Sequence, residues 1–264
     1  MKNYKFHYNL IGDKDQPVIL FLHGFLGNCH DFAQIIPFLT AHFCCLTVDL
    51  PGHGQTIVTN EDIYYTMSYT AEAIINLLDF LQIKKCFLIG YSMGGRLGLY
   101  LTLYFPERFN KVMLESASPG LKNEAEKLTR MTNDLKIAQQ LETTDFTEFL
   151  NNWYNQPLFT SLKQHINFDE LITNRLNNEP IKLAKSLRNL SIGYQPSLWE
   201  KLPENHIPLL LIVGEYDQKF ININSEMVKL CPYSQMSIVN KTGHNIHWEN
   251  SHKFMELIKY FFGN

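Results

Sequence analysis

Short, continuous apolar runs recur along the chain at residues 18–22, 43–48, 86–89, 112–114, 209–213 and 236–239. Runs of this length without alternation predict strands buried on both faces of a mostly parallel sheet. Helical periodicity lies between them, over 69–81, 93–104, 227–230 and 251–262. Strands alternating with helices predict an α/β fold, a central sheet flanked by helices. The alternation stops between Pro119 and Pro208, where the chain is polar and reads as helix over 124–141, 146–154, 169–176 and 181–190. That stretch is too long for a loop in a compact domain. It is expected to form a helical cap over the C-terminal edge of the sheet, where open α/β folds bind ligands. The expected organisation is a core of residues 1–118 and 208–264 with a cap insertion of 119–207.

Composition narrows the class. The chain has 264 residues, 45% hydrophobic and 19% charged, which suits one large domain or a domain carrying an insertion. Its net charge of −3, with no basic block, argues against a nucleic-acid partner. The five cysteines are odd in number and lack a CxxC pair, and Cys44 and Cys45 are adjacent on an expected buried strand. That pattern fits reduced thiols of a cytoplasmic protein better than disulfides or a zinc site. The N-terminal residues lack the apolar segment of a signal peptide, and no run approaches the roughly 20 residues that span a bilayer. The expectation is a cytoplasmic monomer with no membrane partner.

Candidate chemistry centres on Gly90-Tyr91-Ser92-Met93-Gly94, a G-x-S-x-G between an apolar run and a helical pattern. A serine on a sharp strand-to-helix turn is a nucleophile elbow. Such a serine needs a base, and the base an orienting acid, in the chain order Ser, Asp or Glu, His. Asp217 follows the run 209–213, and His244 follows the run 236–239 in a Gly-His-Asn turn. Ser92, Asp217 and His244 are the expected triad. Glu115, ending the strand after the elbow, is the competing acid. Asp49, before Pro51-Gly52-His53-Gly54, reads as a turn-organising carboxylate, and His247 and His252 read as structural or exposed. An oxyanion hole takes one N–H from the residue after the nucleophile and one from an early strand–loop junction. Met93 and Phe25 supply these, while His23 holds the loop's shape. Proton transfer and an oxyanion hole require neither metal nor organic cofactor.

The cations add a second theme. Arg96 lies four residues beyond Ser92, about one helical turn into the elbow helix. Arg130 and Arg175 lie in the cap and can reach the same cavity. Arginine suits bidentate carboxylate binding, with a salt bridge to a cap carboxylate or a solvated surface charge as the plainer alternative. Trp153-Tyr154 can form a pocket wall, although aromatic pairs in helices more often pack a core.

With these residues in view, the chain resembles the α/β-hydrolase superfamily. Within it, the chain is similar to the 2-succinyl-6-hydroxy-2,4-cyclohexadiene-1-carboxylate synthases of menaquinone biosynthesis. The resemblance rests on HGFLGNCHDF at 23–32, VDLPGHG at 48–54, GYSMGGR at 90–96, ESASPGL at 115–121, WYNQPLF at 153–159, GEYDQKF at 214–220 and GHNIHWEN at 243–250. It implies a lyase that eliminates pyruvate from 2-succinyl-5-enolpyruvyl-6-hydroxy-3-cyclohexene-1-carboxylate. It also implies substrate-binding roles for Arg96, Arg130 and Arg175, and pocket positions for Tyr91, Trp153, Tyr154 and Lys219. A carboxylesterase or thioesterase shares every triad feature, and a non-catalytic binding protein of this fold is a third reading. An esterase acting on neutral acyl groups has no need of Arg96.

Overall fold

The computed structural model describes residues 3–59 and 61–263. Met1, Lys2, Asn60 and Asn264, which the sequence pattern assigns to the core, lie outside the described residues. In chain order the elements are β1 (Tyr4–Lys5), β2 (Tyr8–Ile11), β3 (Val18–Leu22), β4 (Cys44–Val48), β5 (Ile57–Val58), α1 (Met67–Phe80), β6 (Cys86–Tyr91), α2 (Met93–Tyr104) and β7 (Phe109–Glu115). The helices α3 (Glu124–Thr143), α4 (Phe146–Tyr154), α5 (Thr160–Lys163), α6 (Phe168–Arg175) and α7 (Pro180–Asn189) follow. The chain then returns to β8 (Leu209–Gly214), α8 (Gln218–Leu230), β9 (Ser234–Val239), α9 (Ile246–Glu249) and α10 (Ser251–Phe262).

Seven strands form one sheet in the order β2-β4-β3-β6-β7-β8-β9. The β2–β4 pairing is antiparallel and the other pairings within this sheet are parallel. The architecture is a mostly parallel sheet with flanking helices. The central strands are apolar throughout because alternate residues serve opposite faces. Leu20, Leu22, Leu46, Leu88 and Leu114 pack with α1 and α2 on one face. Ile19, Phe21, Cys45, Ile89 and Met113 pack with α10 on the other. A third apolar cluster joins Leu26 and Trp248 to side chains of α3 through α7. The five cysteines are buried and free. Among the described residues no helix is long and apolar enough to cross a membrane.

The strands at the sheet centre match the apolar runs, and the differences lie at its margins. β2 is a partly exposed edge strand containing Asn9, so it lacks a continuous apolar signature. α8 begins nine residues before the periodicity at 227–230. Its buried face includes Asn224, whose amide donates to the Ala117 carbonyl at 3.0 Å, and a polar residue at a core position hides the helical period.

Candidate active site

Ser92 sits between the end of β6 and the start of α2 with φ 49° and ψ −103°, a conformation non-glycine residues rarely adopt. Its N–H donates to the Glu115 carbonyl at 2.9 Å, and its own carbonyl accepts from the Arg96 N–H at 2.9 Å. The turn is thus fixed from both sides. Close approach makes Gly94 obligatory: a Cβ there would lie 2.2 Å from the Leu22 carbonyl oxygen.

His244 Nε2 lies 3.1 Å from Ser92 Oγ, and His244 Nδ1 lies 2.6 Å from Asp217 Oδ2. Asp217 is the N-cap of α8, and both it and His244 are buried. Glu115 stands apart from this relay. It accepts the N–H groups of Ile246 and His247 and pairs with His247 Nδ1 at 2.7 Å, fastening the segment just beyond His244. His247 is buried in that pairing, whereas the His252 side chain is 81% exposed. Asp49 accepts from the N–H groups of Cys29 and Gln55 at 2.6 and 2.8 Å, and His7 Nδ1 lies 2.9 Å from it. His7, Cys29 and Asp49 form a compact group of possible metal ligands, joined here in the turn that Asp49 organises.

Phe25 follows β3, next to Leu26 at φ 67°. Two buried histidines hold this loop. His53 Nε2 accepts the Leu26 N–H at 3.3 Å, and His23 Nε2 accepts the Leu50 N–H at 2.9 Å. An accepting Nε2 places the proton on Nδ1, which in His23 lies 2.7 Å from the Gly24 carbonyl and in His53 lies 3.2 Å from that of Pro51. Both rings are neutral, and burial lowers both pKa values. Met93 opens α2, where a helix leaves its first N–H groups without internal partners. The Phe25 ring packs edge-on against Trp153 at 5.4 Å between centroids.

A cavity of about 390 Å³ lies over Ser92. Phe25, Tyr91, Met93 and His244 line its floor, and Trp153, Tyr154 and Phe159 line it from α4 and the turn that follows. Arg96, Arg130, Arg175 and Lys219 also reach it. The four cations have different surroundings. Lys219 is exposed. Arg130 Nε donates to Asp134 Oδ1 at 2.8 Å, and its side chain is 40% exposed. Arg175 is buried, with both terminal nitrogens on Asp31 and Nε on Tyr154 Oη at 3.0 Å. Arg96 donates to Gln195 Oε1 at 2.7 Å and to the Leu190 carbonyl at 3.1 Å. Both Arg96 acceptors are neutral, and among the described residues no carboxylate forms an ion pair with it. Burial pulls the Arg96 pKa from its ordinary value down to about 9; nearby Arg130 adds to the fall and Asp134 opposes it. For Arg175 burial acts downward too and is the largest single effect, but Asp31 and Tyr154 together outweigh it and raise the pKa.

Three partners in this geometry carry no sequence signal of their own: Asp31, Gln195 and His53. Asp31 and His53 fall inside the HGFLGNCHDF and VDLPGHG motifs, while Gln195 falls in none. Their roles come from contacts across the fold, such as the 144 residues separating Asp31 from Arg175.

A serine elbow, a histidine and an aspartate at the ends of parallel strands, beside the loop that follows β3, define an α/β hydrolase. The profile of the alpha/beta hydrolase fold matches residues 17–251. A 2-succinyl-6-hydroxy-2,4-cyclohexadiene-1-carboxylate synthase of Escherichia coli O1:K1 is 31% identical over 90% of this chain and 91% of its own length. A Bacillus subtilis (strain 168) protein, provisionally given the same synthase name, is 35% identical over 95% of this chain and 92% of its own. The solved structure of MenH from S. aureus superposes with a TM-score of 0.91 at 35% identity, covering 100% of this chain and 98% of that one. The chain belongs to the α/β-hydrolase family and, within it, to the 2-succinyl-6-hydroxy-2,4-cyclohexadiene-1-carboxylate synthases.

Proposed function

We propose that this protein is a carbon–oxygen lyase that eliminates pyruvate from 2-succinyl-5-enolpyruvyl-6-hydroxy-3-cyclohexene-1-carboxylate, giving 2-succinyl-6-hydroxy-2,4-cyclohexadiene-1-carboxylate. Ser92, made basic by His244 and Asp217, removes the proton α to the succinyl carbonyl. The enolate oxygen settles on the N–H groups of Phe25 and Met93. The electron pair returns through the ring alkene, the ring C–O bond breaks, and enolpyruvate leaves and takes up a proton to become pyruvate. Residues 119–207 act as a cap inserted between the core segments 1–118 and 208–264. Arg96, Arg130 and Arg175 face the substrate's three carboxylates, with Tyr91, Trp153, Tyr154 and Lys219 around them. Because Asp31 already balances Arg175, that residue offers its remaining N–H groups more than net charge. The same reading makes the protein a cytoplasmic monomer acting on a free small molecule, with no nucleic-acid or membrane partner and no metal or organic cofactor.

One observation supports elimination over ester cleavage more than any other: Arg96 shares the cavity with Ser92 and has no carboxylate partner among the described residues. A polyanionic substrate would complete that site, and a neutral ester would not. The test mixes the purified protein with its precursor and follows pyruvate release. Release in the wild type and its loss in Ser92→Ala are expected. No release, or rapid hydrolysis of a p-nitrophenyl ester unaffected by Arg96→Ala, would overturn the reading in favour of an esterase.

A further inference from the structure

We propose that Gln195 is a positioning and specificity residue: it holds Arg96 through a neutral oxygen, so that the guanidinium charge stays available to a substrate carboxylate. The inference rests on the carboxylate-binding reading of the cavity and assigns to it a residue that does not line that cavity. Gln195 lies on the segment returning from α7 to the core and is 3% exposed. Its Oε1 must be the atom facing Arg96, because an amide NH₂ cannot accept a hydrogen bond. That orientation leaves Nε2 buried without a hydrogen-bond partner among the described residues.

An orphaned buried donor is unfavourable and rare. Glutamate has nearly the same shape, would accept from the same Arg96 nitrogen, and would remove the orphan while adding an ion pair. Local stability therefore favours Glu at this position, and Gln is the choice that leaves the cation uncompensated. The other two cavity arginines show the alternative arrangement, with Asp134 on Arg130 and Asp31 on Arg175.

The returning segment makes Gln195 one half of a clamp. Leu190, at its start, supplies the carbonyl on the other Arg96 nitrogen. Between them, the Ser191 carbonyl accepts the Gln195 N–H at 3.1 Å, and Ser191 Oγ donates to Asp134 at 2.6 Å. Arg96 is thus aimed by two neutral carbonyl oxygens, while the nearby carboxylate is taken up by Arg130 and Ser191. The class of ligand that suits such a cation is a carboxylate, which satisfies charge and hydrogen bonds together.

Gln195→Glu and Gln195→Met test this. In both variants Ser92 should still react with a fluorophosphonate at the wild-type rate, because the triad is untouched. Gln195→Glu should melt at or above the wild-type temperature, yet show a KM for the carboxylate substrate raised about tenfold or more with little change in kcat. Succinate, used as a simple carboxylate probe, should protect Ser92 from the fluorophosphonate in the wild type. That protection should weaken by a similar factor in Gln195→Glu. Gln195→Met should lose the aim of Arg96 but retain its charge, and so fall between the two. A Gln195→Glu protein with wild-type KM and succinate protection would overturn the assignment, as would a wild type that succinate does not protect. Loss of protection in Gln195→Glu, in a protein that releases no pyruvate, would sustain the assignment and reject the proposed reaction.

Discussion

Two guanidinium groups reach one cavity and are treated in opposite ways. Arg175, at the end of α6, is enclosed by Asp31 from the loop after β3 and by Tyr154 at the end of α4. Around it, Asn28 donates to the Asn174 carbonyl and Asn178 to that of Leu26, at 3.2 and 2.9 Å. This region ties α6 and the turn after it to the loop that carries Phe25. Arg96, in α2, meets the segment after α7 through carbonyl oxygens alone. A buried cation with a carboxylate is held in place and demands its partner, while a half-buried one held by neutral groups keeps its charge uncompensated. The first arrangement fixes structure, and on the proposed reading the second prepares binding.

The largest effect separating the two regions should come from Arg175→Met. Removing one partner of a buried pair leaves Asp31 charged in an apolar setting, which costs about 3–5 kcal/mol. Melting should fall by on the order of 10 °C, and Asp31→Asn should do much the same. Calorimetry of both variants checks this; a Tm within a degree or two of wild type would show that the pair is not structural. Arg96→Met should do the reverse. Its kcat/KM for the carboxylate substrate should fall roughly 10- to 100-fold, the equivalent of about 1.5–3 kcal/mol of charge-assisted hydrogen bonding. Its melting temperature should hold or rise, since an unpaired charge has been removed. A large stability loss in Arg96→Met would collapse the distinction between the regions.

Acidification should sharpen the picture on the Arg175 side, where His23 and His53 underlie the loop that carries Phe25. Burial lowers both pKa values, and Arg175 lowers them further. The folded state then binds fewer protons than the unfolded chain below the unfolded value near 6.5. Stability should be unaffected by this pair above about pH 7 and fall as pH drops from 6.5 toward the folded values. The slope approaches about 1.4 kcal/mol per pH unit for each ring. Urea titrations at pH 7.5 and 5.5 measure it. In His53→Gln, whose amide oxygen can still accept the Leu26 N–H, the slope should flatten by about one proton; an unchanged slope would remove His53 from the account.

The contrast between the regions also marks what the chain displays in one dimension. The strands β3, β4, β6 and β8 are legible because strands covered on both faces must be apolar throughout. The elbow, Asp217 and His244 are legible because strand ends place them and fixed chain order selects them. The sequence also points to Arg96, but not to its lack of a carboxylate. Which cation is neutralised depends on Asp31 and Gln195 meeting arginines from distant segments, and no local period encodes that. The pairing of Glu115 with His247 is hidden for the same reason: Glu115 ends a strand as a triad acid would, and only the fold shows it bonded to α9.

Lys219 should show the smallest effect, and it adds a third kind of cation to the comparison. It is exposed at the cavity mouth, 5.7 Å from the Phe220 ring centroid. Water and salt screen such a charge, so it neither anchors structure like Arg175 nor holds an uncompensated field like Arg96. Lys219→Ala should leave melting unchanged and lower kcat/KM about two- to threefold at low ionic strength, through slower capture of an anionic substrate. The difference should vanish near 1 M salt, where the screening length is about 3 Å. The Arg96→Met defect should persist there, because a close contact inside the cavity is less screened. If added salt erases both defects equally, Arg96 acts at long range as Lys219 does, and its neutral clamp loses its meaning.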